Sequence, residues 1–424
     1  MKIKTMELSY QKVLALPPVK RKKPRRPSLF FRTLLRIFSA PSLKSVHFHC
    51  KKIGMARLKK TEPCLILMNH SSFIDLKIAT SVFYPRPLSI VCTSDGFVGK
   101  AWLMRRLGCI PTAKFVTDYA LVKDMIYCVN TLRTSVLMYP EASYSFDGTA
   151  TPLPESVGKC LKLLGVPVVM VRTNGAFLRD PLYNNLQLRK TDVSAEVEYL
   201  LSPEEIAEKT VSELNAILQQ QFAFDNFRYQ QEHGIRIRES FRADHLNRIL
   251  YKCPHCLTEG QMEGTGIFIR CKRCGKGYEL TEDGYLSALD GDGRFTHIPD
   301  WYRWERQEVR REIEAGTYRL ESEVEIYIVR DTKAAYHVGR GHLIHTPAGF
   351  HLTGCGGALD YAQKPSASYS LYSDFNWYEL GDMICIGKPN FLYYCFPTGT
   401  GDIVAKARMA AEELSKLDRA AVKG

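Results

Sequence analysis

No apolar run in this 424-residue chain approaches the roughly 18 residues that a membrane-crossing helix needs. Nor is there an apolar core followed by a small-residue cleavage site, the mark of a secretory signal. A helical integral membrane protein and a secreted protein are therefore not expected. Acidic charge is nearly missing from the first 60 residues, where Glu7 faces 17 lysines and arginines. That segment carries +16 and the remaining residues sum to −3, so the net charge of +13 belongs to one end. An organellar transit peptide is also Arg-rich and acid-poor, but Pro17-Pro18 and the run Lys20-Arg21-Lys22-Lys23 fit that pattern poorly.

Cysteine is plentiful and falls into two populations. Nine, at positions 50, 64, 92, 109, 128, 160, 355, 385 and 395, are scattered, most of them in apolar surroundings. Reduced thiols in a cytosolic core look like this. The other four form two knuckles, Cys253-Pro-His-Cys256 and Cys271-Lys-Arg-Cys274, with 14 residues between them. Two thiolate pairs on tight turns supply the four soft ligands of a closed, tetrahedral, structural Zn²⁺ site. Gly275 and Gly277 suit the knuckle turn, and His255 is not expected to be a ligand. Zinc ribbons often bind nucleic acid, but Lys272, Arg273 and Lys276 are outnumbered by Glu259, Glu263, Glu279, Glu282 and Asp283. A protein or domain contact is the expected partner here, not nucleic acid.

In order, residues 1–27 end in VKRKKPRRP and read as a solvated, mobile basic arm. Residues 28–38, SLFFRTLLRIF, set large apolar side chains around Arg32 and Arg36. The stretch suits a helix lying in the headgroup zone of an anionic membrane, with the basic arm as a second attraction. The alternative is an ordinary helix packed on its own domain. Strands are expected at 65–68, 88–92, 135–139 and 166–171, and helices at 72–83, 102–107, 117–132 and 155–164, which suggests α/β. Ser202, Pro203 and Glu205 open a helix expected to run to about residue 220. A linker, 221–250, precedes the ribbon, 251–285. Residues 301–316 look helical. Seven short strands, at 324–329, 335–338, 342–345, 349–352, 367–371, 383–386 and 391–396, then lead to a helix over 403–417. By order and length, 300–424 resembles a pleckstrin-homology-type barrel. The histidines at 337, 342, 345 and 351 are expected on strand surfaces.

The chain is organised around residues 65–75, LILMNHSSFID. The apolar run of a buried strand breaks at Asn69-His70 and a helical pattern follows, with Ser72 as N-cap and Asp75 where a capping acid reaches back. On one continuous helix, side chains five apart diverge by about 140°. With His70 in the turn before the cap and Asp75 in the first helical turn, the two meet. A carboxylate on one imidazole nitrogen fixes the tautomer and raises the basicity of the other, which makes a general base. From these two residues alone, a solvated histidine beside a capping aspartate is the plainer reading.

NHSSFID, however, resembles the HxxxxD motif of the glycerolipid acyltransferases, the family that includes the 1-acyl-glycerol-3-phosphate acyltransferases. Three more stretches follow in family order. GCIPTAKF, 108–115, takes the place of the second motif, which carries a basic residue for the acceptor's phosphate; the nearest cation is Lys114. YPEASYSFDG, 139–148, resembles the third, PEGTRS: Pro140, Glu141 and Ser145 match, and Ala142, Ser143 and Tyr144 stand at the Gly-Thr-Arg positions. VPVVMV, 166–171, resembles the fourth, an apolar strand led by proline.

The resemblance implies an α/β acyltransferase domain over 28–220, with a mixed sheet flanked by helices; with the zinc ribbon and the mainly-β domain closed by a helix read above, the chain is expected to be multi-domain. It implies His70 as general base oriented by Asp75, and Asn69, Lys114, Glu141, Ser143 and Ser145 as substrate-binding candidates. Acyl-CoA or acyl carrier protein would be the donor and a lysophospholipid, 1-acyl-glycerol 3-phosphate first among them, the acceptor. The expected site of action is the cytoplasm, peripheral on the inner face of the membrane. The rival reading is a non-catalytic scaffold of the same fold, recruiting a partner through ribbon and barrel.

Overall fold

The computed structural model describes residues 2–17, 19–115, 118–388, 391–399 and 401–423, with side chains to 419. Its basic N-terminal segment is not a free arm, which corrects the expectation for residues 1–27. β1 (Thr5–Glu7) pairs in parallel with residues 335–337, and α1 (Tyr10–Ala15) buries Tyr10 and Val13. The charge expected to keep the segment solvated finds its partners elsewhere on the chain. Arg21 Nε donates to Asp124 Oδ2 at 2.8 Å, its Nη1 faces Asp118, and Arg26 donates to the Leu132 carbonyl at 3.1 Å. α2 (Leu29–Lys44) follows, capped by Ser28.

A seven-stranded sheet comes next. Its elements are β2 (His49–Ile53), β3 (Leu65–Met68), α3 (Ile74–Val82), β4 (Leu88–Thr93), α4 (Ala101–Arg106), β5 (Cys109–Thr112), α5 (Tyr119–Asn130), β6 (Ser135–Met138), α6 (Ser156–Leu164), β7 (Val168–Asn174), α7 (Ala176–Arg179) and β8 (Ser194–Leu201). The strands lie in the order β2-β8-β7-β3-β6-β4-β5, antiparallel only between β7 and β8. Side chains alternate along a strand, so Ile66 and Met68 pack with Ile74 and Ile78 of α3, while Leu65 and Leu67 pack with Met125 of α5 and Leu161 of α6. Covered on both faces, β3 reads as an unbroken apolar run. The helix expected over 202–220 is two, α8 (Pro203–Glu208) and α9 (Val211–Phe222), because Thr210 and Glu213 form a second capping box. Thr117, where the helix now seen as α5 was expected to begin, lies outside the described residues; Asp118 is its cap.

α10 (Asn226–Glu232) leads to an antiparallel ribbon of β9 (Met262–Thr265), β10 (Phe268–Cys271), β11 (Gly277–Leu280) and β12 (Leu286–Ala288). α11 (Ile298–Glu314) precedes β13 (Leu320–Ile328), β14 (Ala335–Thr346), β15 (Gly349–Gly354), β16 (Leu359–Gln363), β17 (Tyr372–Trp377), β18 (Gly381–Lys388), β19 (Phe391–Pro397) and α12 (Ile403–Lys423). These strands run β16-β15-β14-β13-β19-β18-β17, all antiparallel, with β1 beside β14. The β-rich unit closed by a helix is as expected. Its detail differs in three places. The strands expected at 335–338 and 342–345 are one, β14, because Gly341 marks a close approach and not a turn: a side chain there would strike the Thr353 carbonyl. The polar edge strand β16 was not expected at all. The strand expected at 367–371 begins instead at Tyr372.

Candidate active site

β3, β5 and β6 end on the same edge of the sheet, where open α/β sheets hold their ligands. β3 runs into the turn carrying Asn69 and His70, β5 into Lys114, and β6 into residues 139–145. Asp75 stands in the first turn of α3 and reaches back. Its Oδ2 accepts the Ser71 N–H at 2.8 Å and the Ser72 N–H at 3.0 Å, and lies 3.2 Å from His70 Nδ1. The cap itself is one residue later than expected: Phe73 holds that position, and Ser72 Oγ accepts the Ile74 N–H at 3.1 Å while donating to Asp180.

With a carboxylate at Nδ1, that nitrogen carries the proton and Nε2 presents a lone pair. Nε2 has no hydrogen-bond partner among the described residues, and the side chain is 19% exposed. The ring sits between Tyr139, 4.2 Å away, and Tyr144, 4.1 Å away, nearly parallel to both. Burial pushes its pKa below the ordinary imidazole value, Asp75 draws it back up, and the Lys114 charge pushes it down. The imidazole is neutral at neutral pH, the form a base requires.

The other candidates divide. Glu141 is fully buried: Oε2 accepts the His70 N–H at 2.9 Å, and Oε1 accepts the N–H and hydroxyl of Thr151 at 2.9 and 3.0 Å. Burial raises its pKa to about 7. Asn69 Oδ1 accepts the Thr173 N–H at 2.9 Å and so ties the end of β3 to β7. Ser145 donates its hydroxyl to the Thr149 carbonyl and its N–H to the His70 carbonyl. The sequence expected these three at the substrate; their polar atoms are spent on the scaffold. Ser143 is buried with its hydroxyl unpartnered among the described residues. Lys114 Nζ lies 4.3 Å from the centre of the Tyr372 ring, whose hydroxyl, like Trp377 Nε1, donates to Asp95 Oδ2.

Sequence reasoning missed the two rings around His70. Both lay inside a stretch already singled out, and Tyr144 stands where the resembled motif has arginine, but spacing says nothing about stacking.

Residues 49–173 match the family described as Acyltransferase. This stretch is an acyltransferase-family domain. It contains β2 to β6, most of β7, and the whole His70–Asp75–Glu141 constellation. Among solved structures, the 1-acyl-sn-glycerophosphate acyltransferase PlsC from Thermotoga maritima is 14% identical, with 45% of this chain and 76% of that chain covered and a TM-score of 0.37. No curated protein matches the chain.

The acyltransferase domain shares its site's surroundings with the C-terminal unit. Tyr369 meets Phe115 at 5.4 Å, Phe375 meets Phe146 at 4.5 Å, and Arg408 Nη1 donates to the Tyr144 carbonyl at 3.5 Å. No periodicity in the sequence records these contacts.

Away from that site, the sulfurs of Cys253, Cys256, Cys271 and Cys274 all lie within 4.8 Å of one another. Cys253–Cys274 and Cys256–Cys271 are each 3.7 Å apart. A tetrahedron with metal–sulfur bonds of about 2.3 Å has edges of about 3.8 Å, so the group can hold a metal ion. His255 is exposed and outside it. Of the four β-sheet histidines, His337, His342 and His351 pair with surface carboxylates. His345 is the exception and corrects that expectation. It is 1% exposed, stacked on Phe350 at 3.7 Å and hydrogen-bonded to the Tyr318 hydroxyl, and burial lowers its pKa to about 3.

Proposed function

We propose that the chain transfers an acyl group from a thioester of coenzyme A or acyl carrier protein to a hydroxyl of a lysophospholipid, with 1-acyl-glycerol 3-phosphate the first acceptor to try. The observation that carries this reading is His70 Nδ1 at 3.2 Å from Asp75 Oδ2, with Nε2 unpartnered among the described residues. His70 takes the acceptor's proton as the oxygen attacks the thioester carbonyl. The tetrahedral intermediate then collapses, the carbon–sulfur bond breaks, and the thiolate leaves with the proton returned by His70. A positioned base contributes about 10²–10⁴-fold. Asp75 stabilises the imidazolium formed in passing, and the flanking tyrosine faces favour the same charge. Lys114 and Ser143 are the groups we assign to the acceptor.

The reading extends to a peripheral place on an anionic membrane surface, the inner face in a cell. On α2, Phe30 and Phe38 are 68% and 69% exposed, while Arg36 lies over the Tyr84 ring and Arg32 donates to the Pro85 carbonyl. Leu29 and Ile37 are exposed as well, while Leu34 and Leu35 are half-buried, so α2 packs on its domain by one side and leaves an apolar patch beside its arginines on the other. Phe73, also exposed, stands 5.6 Å from Tyr144, so apolar surface leads toward His70. No described helix is long and apolar enough to cross a membrane. For the four cysteines we assign Zn²⁺, which in a closed Cys₄ site stabilises the ribbon and leaves no position for a reactant. Units of 28–220, 251–285 and 300–424 fit these roles.

The test offers purified protein palmitoyl-CoA or palmitoyl carrier protein and a panel of lysophospholipids, with products followed by mass spectrometry. A folded His70→Ala protein without product supports the reading. Wild-type protein inert with every donor and acceptor sinks it.

A further inference from the structure

A cavity of about 490 Å³ lies between the acyltransferase domain and the helices α11 and α12. One wall is Phe222 with residues 146–155, the end of the third motif and the segment after it. The other brings Tyr302, Arg303 and Arg306 from α11 and Arg408, Lys416 and Arg419 from α12. The volume is that of a small-molecule site. Five lining side chains, Arg303, Arg306, Arg408, Lys416 and Arg419, are cationic, and Asp147, Glu155 and Glu412 are acidic.

Four cations here share their acids. Glu412, 1% exposed, serves both Arg306 and Arg408, and Glu413 serves Arg306, Arg310 and Lys416. Two carboxylates thus hold four cations, of which Arg310 alone has a third acid, Glu314. At the rim, Arg303 is paired with Asp300, and Arg419 lies 3.6 Å from Glu155. Such exposed pairs are worth little, and an entering anion replaces them at small cost. Guanidinium forks match phosphate oxygens, and Tyr302 and Phe222 give the same cavity aromatic wall. Thr151 links it to the transfer site: it lines the cavity and holds Glu141, whose other oxygen holds the His70 N–H.

We propose that this cavity between the acyltransferase domain and α11–α12 binds a phosphate ester. The chemistry is the same whether the phosphate belongs to a nucleotide-bearing thiol carrier or to a glycerolipid head group, and it stands without the transfer reading. Calorimetric titration of the full chain with inorganic pyrophosphate, coenzyme A and sn-glycerol 3-phosphate tests it. Saturable binding of coenzyme A and pyrophosphate assigns the carrier; saturable binding of glycerol 3-phosphate assigns the head group. The double variant Arg303→Glu/Arg419→Glu changes rim side chains only and is expected to weaken binding by about tenfold per guanidinium lost. Arg340→Glu, an exposed arginine on the C-terminal sheet, leaves it unchanged. No saturable binding of any of the three, or equal binding by wild type and the rim variant, overturns the proposal.

Discussion

Glu141 Oε2 accepts the backbone N–H of His70 at 2.9 Å across 71 residues of chain. The contact joins the turn after β3 to the turn after β6. The imidazole is therefore fixed twice, its backbone by Glu141 and its ring by Asp75.

Each fixture has its own expected cost. His70→Ala lowers kcat by about 10²–10⁴-fold with thermal unfolding unchanged. Glu141→Gln turns an amide N–H toward the donors of either His70 or Thr151 and loosens the turn, so kcat falls by roughly tenfold to a hundredfold with little change in KM. Steady-state kinetics separates the two.

The pH profile follows from the neighbours of His70. Its folded pKa lies below 6.5 and the neutral ring is the active form, so kcat/KM holds down to that region and falls on the acid side. Asp75 raises the value and Lys114 lowers it. Asp75→Asn moves the acid limb to lower pH on a reduced plateau, and Lys114→Met moves it to higher pH. Limbs that stay put contradict the assignment of His70.

Metal analysis should return about one Zn²⁺ per chain. Trp301 packs against Tyr278 and Phe295 and donates to the Lys252 carbonyl, next to Cys253. Chelation, or Cys253→Ser, is expected to change tryptophan emission and unfold the ribbon.

Deleting residues 1–38 would remove β1 and α1 together with the first part of α2, so it is a poor test of membrane binding. Phe30→Ser/Phe38→Ser touches exposed side chains alone. With about 1.5–3 kcal/mol for each buried aromatic, affinity for phosphatidylglycerol vesicles falls by an order of magnitude or more. Unchanged co-sedimentation argues against an interfacial α2.

His345 makes the C-terminal sheet acid-sensitive. Its folded pKa of about 3 lies below the ordinary 6.5, so its contribution is complete above pH 6.5 and is lost as pH falls. At pH 5 the loss is about 2 kcal/mol. His345→Gln, which keeps an acceptor for Tyr318, flattens that part of the denaturation curve.

What could be read beforehand follows from how far apart the determinants lie. β3 announced itself because burial on both faces leaves an unbroken apolar run, and the cysteine knuckles because two short turns hold all four sulfurs. β16 was silent because LDYAQ is a polar edge strand. The fate of the basic segment was silent too, since Asp118 and Asp124 stand 97 and 103 residues from Arg21. Contacts of Tyr369, Phe375 and Arg408 with the site are products of the finished fold.

The pairing of β1 with β14 sets a timetable. Glu7 leaves the ribosome some 330 residues before His337, its partner by side chain and strand. At 5–20 residues per second that is a wait on the order of tens of seconds, during which a short basic segment has no sheet edge to join. A fusion or tag ahead of Thr5 would therefore disturb the last-made part of the molecule, not the first.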